Sequence, residues 1–296
     1  MDFFGILNKE AIIIQQFKQL THRIWYQTPV SETDRPIVAV ITGDDRSLVI
    51  DAGNSSQHAA LFLEEMKKQG LKQPDLVALT HWHWDHIFGM KQMAVPTIAT
   101  KRTVEEMQKM MDYEWSDEAL EERIQQEIEI PFCADAIKLE FGANRDIEIV
   151  LPTIQFEGQL EVDLGGVQCL LRQVENDHSP ESALIYIPQE RVLFLGDAMY
   201  ADIFSAKWNY TTDQTTRLLD VIAEYDADYY VWSHGEAMPK DEFEQEVMVL
   251  RRAIEVTQQA SGQVSDMRRL YRERVERDLT TGEEETLVFF ANGTKK

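Results

Sequence analysis

The 296-residue chain is short of positive charge, of cysteine and of long apolar runs, and each shortage excludes something. Lysine and arginine number 29 against 52 aspartates and glutamates, a formal net charge of −23. Nucleic-acid phosphates and anionic membranes are gripped through Lys and Arg, so this balance opposes both as partners. Cysteine occurs twice, as Cys133 and Cys169. The pair lacks ligand-like spacing and falls in apolar segments, so no disulfide framework is expected and a reducing cytoplasm fits best. No stretch approaches the ~20 apolar residues needed to span a bilayer. The amino terminus, Met1 to Glu10, has no basic region leading into a long apolar core and a cleavage site, so no secretory signal is expected. Low-complexity linkers and solenoid repeats are missing too. What is present is a 44% hydrophobic composition, enough for a sizeable core in one large domain or two small ones.

Histidine is also scarce, at seven, yet His81, His83 and His86 crowd into the segment Thr80-His81-Trp82-His83-Trp84-Asp85-His86. The run before it, Leu76-Val77-Ala78-Leu79, reads as a buried strand. Imidazole and carboxylate together suit zinc, iron or manganese. Ligands that alternate at a strand end point in opposite directions, so a loop this dense can serve two metals. Treating these residues as ordinary core or turn positions would bury too many unpaired polar groups. Three further polar residues lie beside apolar runs, where each alone would more often be a cap or a turn residue. His178 lies in Glu175-Asn176-Asp177-His178-Ser179-Pro180, ahead of the apolar run Ala183 to Ile187. Asp197 ends the run Val192 to Gly196, and His234 follows Tyr229 to Ser233. His22 and His58 have no matching neighbourhood and read as surface or packing residues.

The pattern H-x-H-x-D-H at 81–86, followed in order by His178, Asp197 and His234, resembles the metallo-β-lactamase superfamily over roughly residues 20–240. The resemblance implies a four-layer αββα sandwich of the α/β class, here with additional C-terminal helices; periodicity alone supports only mixed α and β. It implies His81, His83 and His178 as ligands of a first metal, Asp85, His86 and His234 as ligands of a second, and Asp197 as the bridge. Two dications ~3.5–4 Å apart tolerate each other only around shared anions, which suits that division. The implied cofactors are two divalent metal ions, zinc first, with iron or manganese as alternatives. Zinc lowers the pKa of bound water to about 7, so a bridging hydroxide can attack an ester-like centre at neutral pH. The implied activity is hydrolysis of a small ester-like substrate such as a lactone or thioester, with Asp85, Asp197 and Tyr200 as the catalytic residues. Tyr200 stands three positions after Asp197, the offset at which acyl-homoserine lactonases of the superfamily place a substrate-polarising tyrosine; a packed core tyrosine is the alternative. Asp51 resembles the aspartate that the superfamily sets beneath the metal loop, or else it caps the following helix. Asp177 and Glu181 depart from the family's small residues, and as carboxylates near the site they are expected to disfavour anionic substrates. Trp82 and Trp84 flank the ligands as packing residues or as a pocket wall.

Along the chain, 22–27, 37–42 and 47–50 read as strands, with Gly43-Asp44-Asp45 as a hairpin turn, and 56–69 reads as a helix. Residues 101–130 are helical and acidic, with Met107, Met110, Met111 and Trp115 interleaved. That face covers its own core, forms a lid, or pairs two chains. Strands return over 147–174, and a helix over 212–224 is capped by Thr211 or Thr212. Two helices, about 240–259 and 264–278, precede Glu283-Glu284-Glu285 and a short strand-like apolar segment. The expected division is a domain over 1–240, including the helical insertion at 101–130, and a C-terminal helical extension over 241–296. The partner is a small-molecule substrate, and a homodimer through the helical segments stays open.

Within the resemblance, nucleic-acid processing is disfavoured because that branch inserts a large domain between the bridging Asp and the last His, where this chain has only residues 198–233. Glyoxalase II needs basic glutathione-binding residues, whereas 241–244 is acidic. The lack of a signal disfavours destruction of extracellular β-lactams. Diiron oxygen reducers carry Glu where this chain has His83, and they append a flavodoxin domain. Iron-dependent sulfur or oxygen chemistry and a non-catalytic metal-binding module remain as the other readings.

Overall fold

The computed structural model describes residues 15–294. The first sheet is laid down in chain order: β1 (Phe17–Gln19), β2 (Ile24–Gln27), β3 (Val38–Thr42), β4 (Ser47–Ile50), β5 (Leu76–Ala78), β6 (Thr97–Thr100) and β7 (Ile154–Phe156). Pairing is antiparallel from β1 to β4 and parallel from β4 to β7. Parallel neighbours need crossovers. These are α1 (Ser56–Lys68), then α2 (Trp84–Ile87) with α3 (Met90–Met93), then α4 (Lys101–Met110), α5 (Asp117–Gln125) and α6 (Pro131–Phe141). The second sheet, β8 (Gln159–Asp163), β9 (Gln168–Gln173), β10 (Ala183–Ile187), β11 (Val192–Gly196), β12 (Tyr229–Trp232) and β13 (Met238–Pro239), is also in chain order. Its parallel pair β11–β12 is crossed by α7 (Thr212–Ile222), and α8 (Lys240–Gln259), α9 (Val264–Val275) and α10 (Thr281–Gly293) complete the chain.

Successive side chains of a strand face opposite ways. In β3, Ala39 and Ile41 join Ile50, Cys169, Ile185 and Phe194 in a core between the two sheets. Val38 and Val40 join Phe62, Met66 and Ile137 under the helices of the first half. Across the molecule, Leu193 and Tyr230 meet Leu218, Ile254, Tyr271 and Phe290 of α7 to α10. Because both faces of the sheets are covered, the central strands read as continuous apolar runs. The result is the αββα sandwich. No helix among the described residues is long and apolar enough to cross a membrane. Cys133 and Cys169 are buried free thiols, and burial pushes Cys169 up to about 12.

Most sequence expectations match the observed elements, and the differences have local causes. The 101–130 stretch divides into α4 and α5, and α6 begins after it at Pro131, a residue suited to a helix's first turn. Met107, Met110 and Trp115 cover the core of their own half, while Met111 is 54% exposed. The segment after Glu285 is a helix, not a strand. Thr280 and Glu283 form a reciprocal capping box, with Thr280 Oγ1 accepting from Glu283 N and Glu283 accepting from Thr280 N. Leu287, Phe290 and Ala291 then recur at helical spacing and bury. Burial raises the Glu283 carboxyl, but Arg277 outweighs it and holds the group at about 2.

The two sheets meet most closely at their ends. Gly196 ends β11 at φ 55°, and a Cβ there would lie 2.7 Å from Thr80 Cβ, so only glycine fits. Beside it, Ala183 N donates to Thr80 O at 2.7 Å, tying the second sheet to the loop after β5.

Candidate metal centre

That junction is where the polar residues collect. β5 stops at Ala78, and Leu79 and Thr80 lead into His81 and His83. His83 is the cap residue of the single-turn helix α2, which carries Asp85 and His86. From the second sheet come His178 before β10, Asp197 directly after Gly196, and His234 two residues past β12. All seven predicted ligands converge. His81, His83 and His178 form one group, and Asp85, His86, Asp197 and His234 form another; within each, the donor atoms lie within 4.8 Å of one another. Asp197 Oδ2 reaches both groups: it is 3.5 Å from His178 Nε2 and 3.9 Å from His81 Nε2, and 3.6 Å and 3.4 Å from the Nε2 atoms of His86 and His234.

Whether a cation suits this arrangement can be judged from the unpaired atoms. His81 Nε2, His86 Nε2, His178 Nε2, Asp85 Oδ2 and Asp197 Oδ1 are buried with no hydrogen-bond partner among the described residues. Asp85 Oδ2 lies 3.0 Å from His86 Nε2, but the contact lacks hydrogen-bond geometry. One orphaned buried polar atom costs about 1–3 kcal/mol. Several converging at one point could hold a metal ion, and imidazole with carboxylate suits zinc, iron or manganese.

The nitrogens facing away from the cluster are held. His86 Nδ1 donates to Asp51 Oδ2 at 2.8 Å, and Asp51 Oδ1 accepts Thr80 N at 2.8 Å. Thr80 Oγ1 lies 3.1 Å from His81 Nδ1, and His178 Nδ1 donates to Ala201 O at 3.1 Å. Asp51 therefore sits beneath the loop, and the cap of α1 is Ser55, which accepts from His58 N. His234 Nδ1 faces Asp34 Oδ1 at 3.4 Å. Burial pushes the Asp34 carboxyl up to about 7, with His234 pulling the other way.

Electrostatics separates the two groups. Burial, reinforced by neighbouring histidines, drives His81 and His83 well below the usual histidine value. Burial pulls on His86 and His234 too, but Asp85, Asp51 and Asp197 around the first, and Asp197 and Asp34 around the second, outweigh it and hold both well above. Asp197 is held well below the carboxylate range because His234 and His86 outweigh the cost of its burial.

Tyr200 lies against the centre, its ring 6.1 Å from those of both His178 and His234 and 5.6 Å from Trp232. Burial and the Asp197 charge push its phenol well above 10, so it keeps its proton. Trp82 and Phe204 stand beside His83, with ring centroids 4.7 Å and 5.1 Å away, whereas Trp84 is buried and packs on Phe88. Asp202 fixes Phe204 by accepting from the Phe204 and Ser205 amides, both at 3.0 Å.

The two carboxylates expected near the site both have partners. Asp177 is engaged at the start of α7, accepting from Thr211 N at 3.0 Å and Thr211 Oγ1 at 2.8 Å. Glu181 is buried, accepts from Ser179 Oγ at 2.6 Å, and is pushed towards its neutral form by burial. Both carboxylates are thus engaged by hydrogen bonds within the protein. His22 is exposed. His58 is fully buried but packs away from the donors, with Nε2 3.0 Å from Gln15 Nε2 and Nδ1 3.4 Å from Asn54 N. Sequence reasoning missed Asp34, Thr80 and Phe204 as site residues. Thr80 was legible as the residue opening the motif; Asp34 and Phe204 carry no local signal.

The solved structures that share this architecture include a metallo-β-lactamase from Pontibacter korlensis, at 15% identity and a TM-score of 0.56, matched over 79% of this chain and 98% of that one. A stereoselective inverting sec-alkylsulfatase from Pseudomonas sp. matches 95% of this chain at 14% identity and a TM-score of 0.66, and this chain spans 49% of that longer protein. A metallo-β-lactamase from Cronobacter sakazakii matches 95% of this chain and 94% of its own, at 12% identity and a TM-score of 0.52. At such identities the likeness is one of fold. No curated protein matches. The family model of the metallo-β-lactamase superfamily matches residues 37–234, from the start of the β3 region to the last histidine of the cluster, and the chain belongs to that superfamily.

Proposed function

We propose that the chain is a dinuclear metal-dependent hydrolase of a small ester-like substrate, a lactone or thioester first. The observation that carries this reading is the set of buried, unpaired donor atoms converging in two groups around Asp197. In this reading His81, His83 and His178 hold one ion, Asp85, His86 and His234 hold the other, and Asp197 serves both. Zinc ions bound there supply a water-derived nucleophile at neutral pH and a Lewis acid for the scissile oxygen. The protein's own groups do the rest. Asp51 and Thr80 fix the rings of His86 and His81 so that their Nε2 atoms face the cluster. The protonated Tyr200 phenol donates to charge developing on the substrate oxygen. Trp82 and Phe204 form an apolar wall beside His83 that shields the reacting centre from water and receives an apolar substrate portion.

The test is metal analysis followed by turnover. Protein prepared with zinc, iron and manganese all available is expected to carry two zinc ions per chain, and to hydrolyse lactones or thioesters faster than sulfate esters or β-lactams. Tightly held iron with no turnover of any ester would sink the hydrolase reading and redirect work to sulfur or oxygen chemistry.

A further inference from the structure

A histidine that binds metal through one ring nitrogen depends on the partner of the other nitrogen for its tautomer and orientation. His86 and His81 obtain that partner from Asp51 and Thr80, and His178 from a backbone carbonyl. His234 turns Nε2 to Asp85 and Asp197, at 3.2 Å and 3.4 Å, and turns Nδ1 to Asp34. Asp34 lies in the loop between β2 and β3, outside the residues matched by the family model.

That loop is tied down on several sides. Val30 and Arg35 exchange backbone hydrogen bonds of 2.9 Å, and Asn54 Nδ2 donates to Thr33 O at 2.8 Å. Arg35 pairs with Glu140 of α6 at 2.8 Å, and the same carboxylate accepts from Ser55 Oγ at 2.5 Å. Ile37 N donates to Ser233 O at 2.6 Å, fastening the loop to the residue before His234. Asp34 itself adopts a left-handed backbone, φ 53° and ψ 40°, which Asp tolerates better than most residues. Its side chain is 14% exposed, so water does not replace the contact freely.

We propose that Asp34 is the positioning residue of His234, its carboxylate facing Nδ1 so that this nitrogen carries the ring proton and Nε2 is turned to the donor cluster of Asp85 and Asp197. This rests on the metal-dependent reading of the site and extends it to a residue that the superfamily motif does not include. The role is specific to one ion: in the other group His81 and His178 have supports of their own.

The experiment compares zinc binding to wild type, Asp34→Gly and Asp34→Asn by competition with a chromophoric chelator, alongside thermal melts of the zinc-free proteins. Glycine removes the carboxylate without backbone strain, and asparagine keeps an oxygen acceptor. Asp34→Gly is expected to weaken one zinc ion about 10–100-fold and leave the other unchanged, with Asp34→Asn closer to wild type. Wild-type binding of both ions by Asp34→Gly overturns the proposal, as does equal loss in the glycine and asparagine variants. Parallel weakening of both ions with an earlier zinc-free melt also overturns it, because that marks a mere prop for the loop. A wild-type chain that binds fewer than two zinc ions overturns it together with the dinuclear reading. If Asp34→Gly does not fold, Asp34→Ser takes its place in the same comparison. A chain that binds two ions in an Asp34-dependent way but hydrolyses no ester keeps this inference and loses the hydrolase reading.

Discussion

His81, His83 and His178 meet as three imidazoles, whereas Asp85, His86, Asp197 and His234 set two carboxylates among two imidazoles. Both groups are built at the same sheet junction, yet burial acts on them in opposite company. In the first, the pull of Asp197, and of Asp85 at His83, does not overcome desolvation, and His81 and His83 are driven towards the neutral, metal-ready form. In the second, the carboxylates overcome desolvation and keep His86 and His234 ready to take protons. One group offers neutral donors and borrows its countercharge; the other carries its own. Asp197 is the element they have in common, which makes it the point where the comparison can be broken.

The largest effect is expected there. Asp197→Ala should lower turnover by about 10³-fold or more, the scale of losing a principal electrostatic group, and should lower total metal content. Wild-type kinetics in that variant would falsify the shared role. The next effect separates the groups: His178→Ala and His234→Ala are each expected to leave one zinc ion per chain where wild type holds two. Elemental analysis that finds both ions missing from either variant would show that the groups fill as one unit.

His58 supplies a control of equal burial and different company. Its partners are Gln15 and Asn54, and burial and then Arg35 lower its pKa to about 3. His58→Ala is expected to leave zinc content unchanged. A histidine depressed in the fold contributes stability that is complete above the unfolded value, about 6.5, and is lost as pH falls towards about 3. Zinc-free wild type should therefore lose stability across that window, and His58→Ala should reduce the slope by about 1.4 kcal/mol per pH unit, read from denaturant melts at several pH values. The smallest effect is remote from both groups. Thr280→Ala removes the cap of α10 and should cost about 1 kcal/mol in a thermal melt without altering metal content.

Much of this was legible in the residues. The strands 47–50, 183–187 and 192–196 could be bounded within a residue, because runs of buried β-branched and aliphatic side chains mark them. All seven convergent donors could be named in advance, since the H-x-H-x-D-H pattern and the order of His178, Asp197 and His234 after it resemble the superfamily's motif. α10 was not legible: Thr286-Leu287-Val288-Phe289-Phe290 has strand-like composition, and what makes it a helix is a capping box upstream and a core waiting at helical spacing. The surroundings of Asp177 and Glu181 were not legible for a similar reason, because their partners Thr211 and Ser179 are invisible until the chain is folded.

By itself, the sequence determined the local chemistry: an apolar run that ends before Thr80, a six-residue segment with three imidazoles, and apolar runs that must be covered on both faces. Those properties follow from side-chain type and spacing, which the chain carries wherever it goes. The tertiary structure decided which nitrogen of each histidine faces the cluster, that Asp51 supports the loop while Ser55 caps the helix, and that Asp34 comes to stand against His234. These depend on contacts that spacing along the chain does not fix: the parallel pairing of β4 and β5 sets Asp51 under the loop, and the meeting of the two halves brings Asp34 to His234.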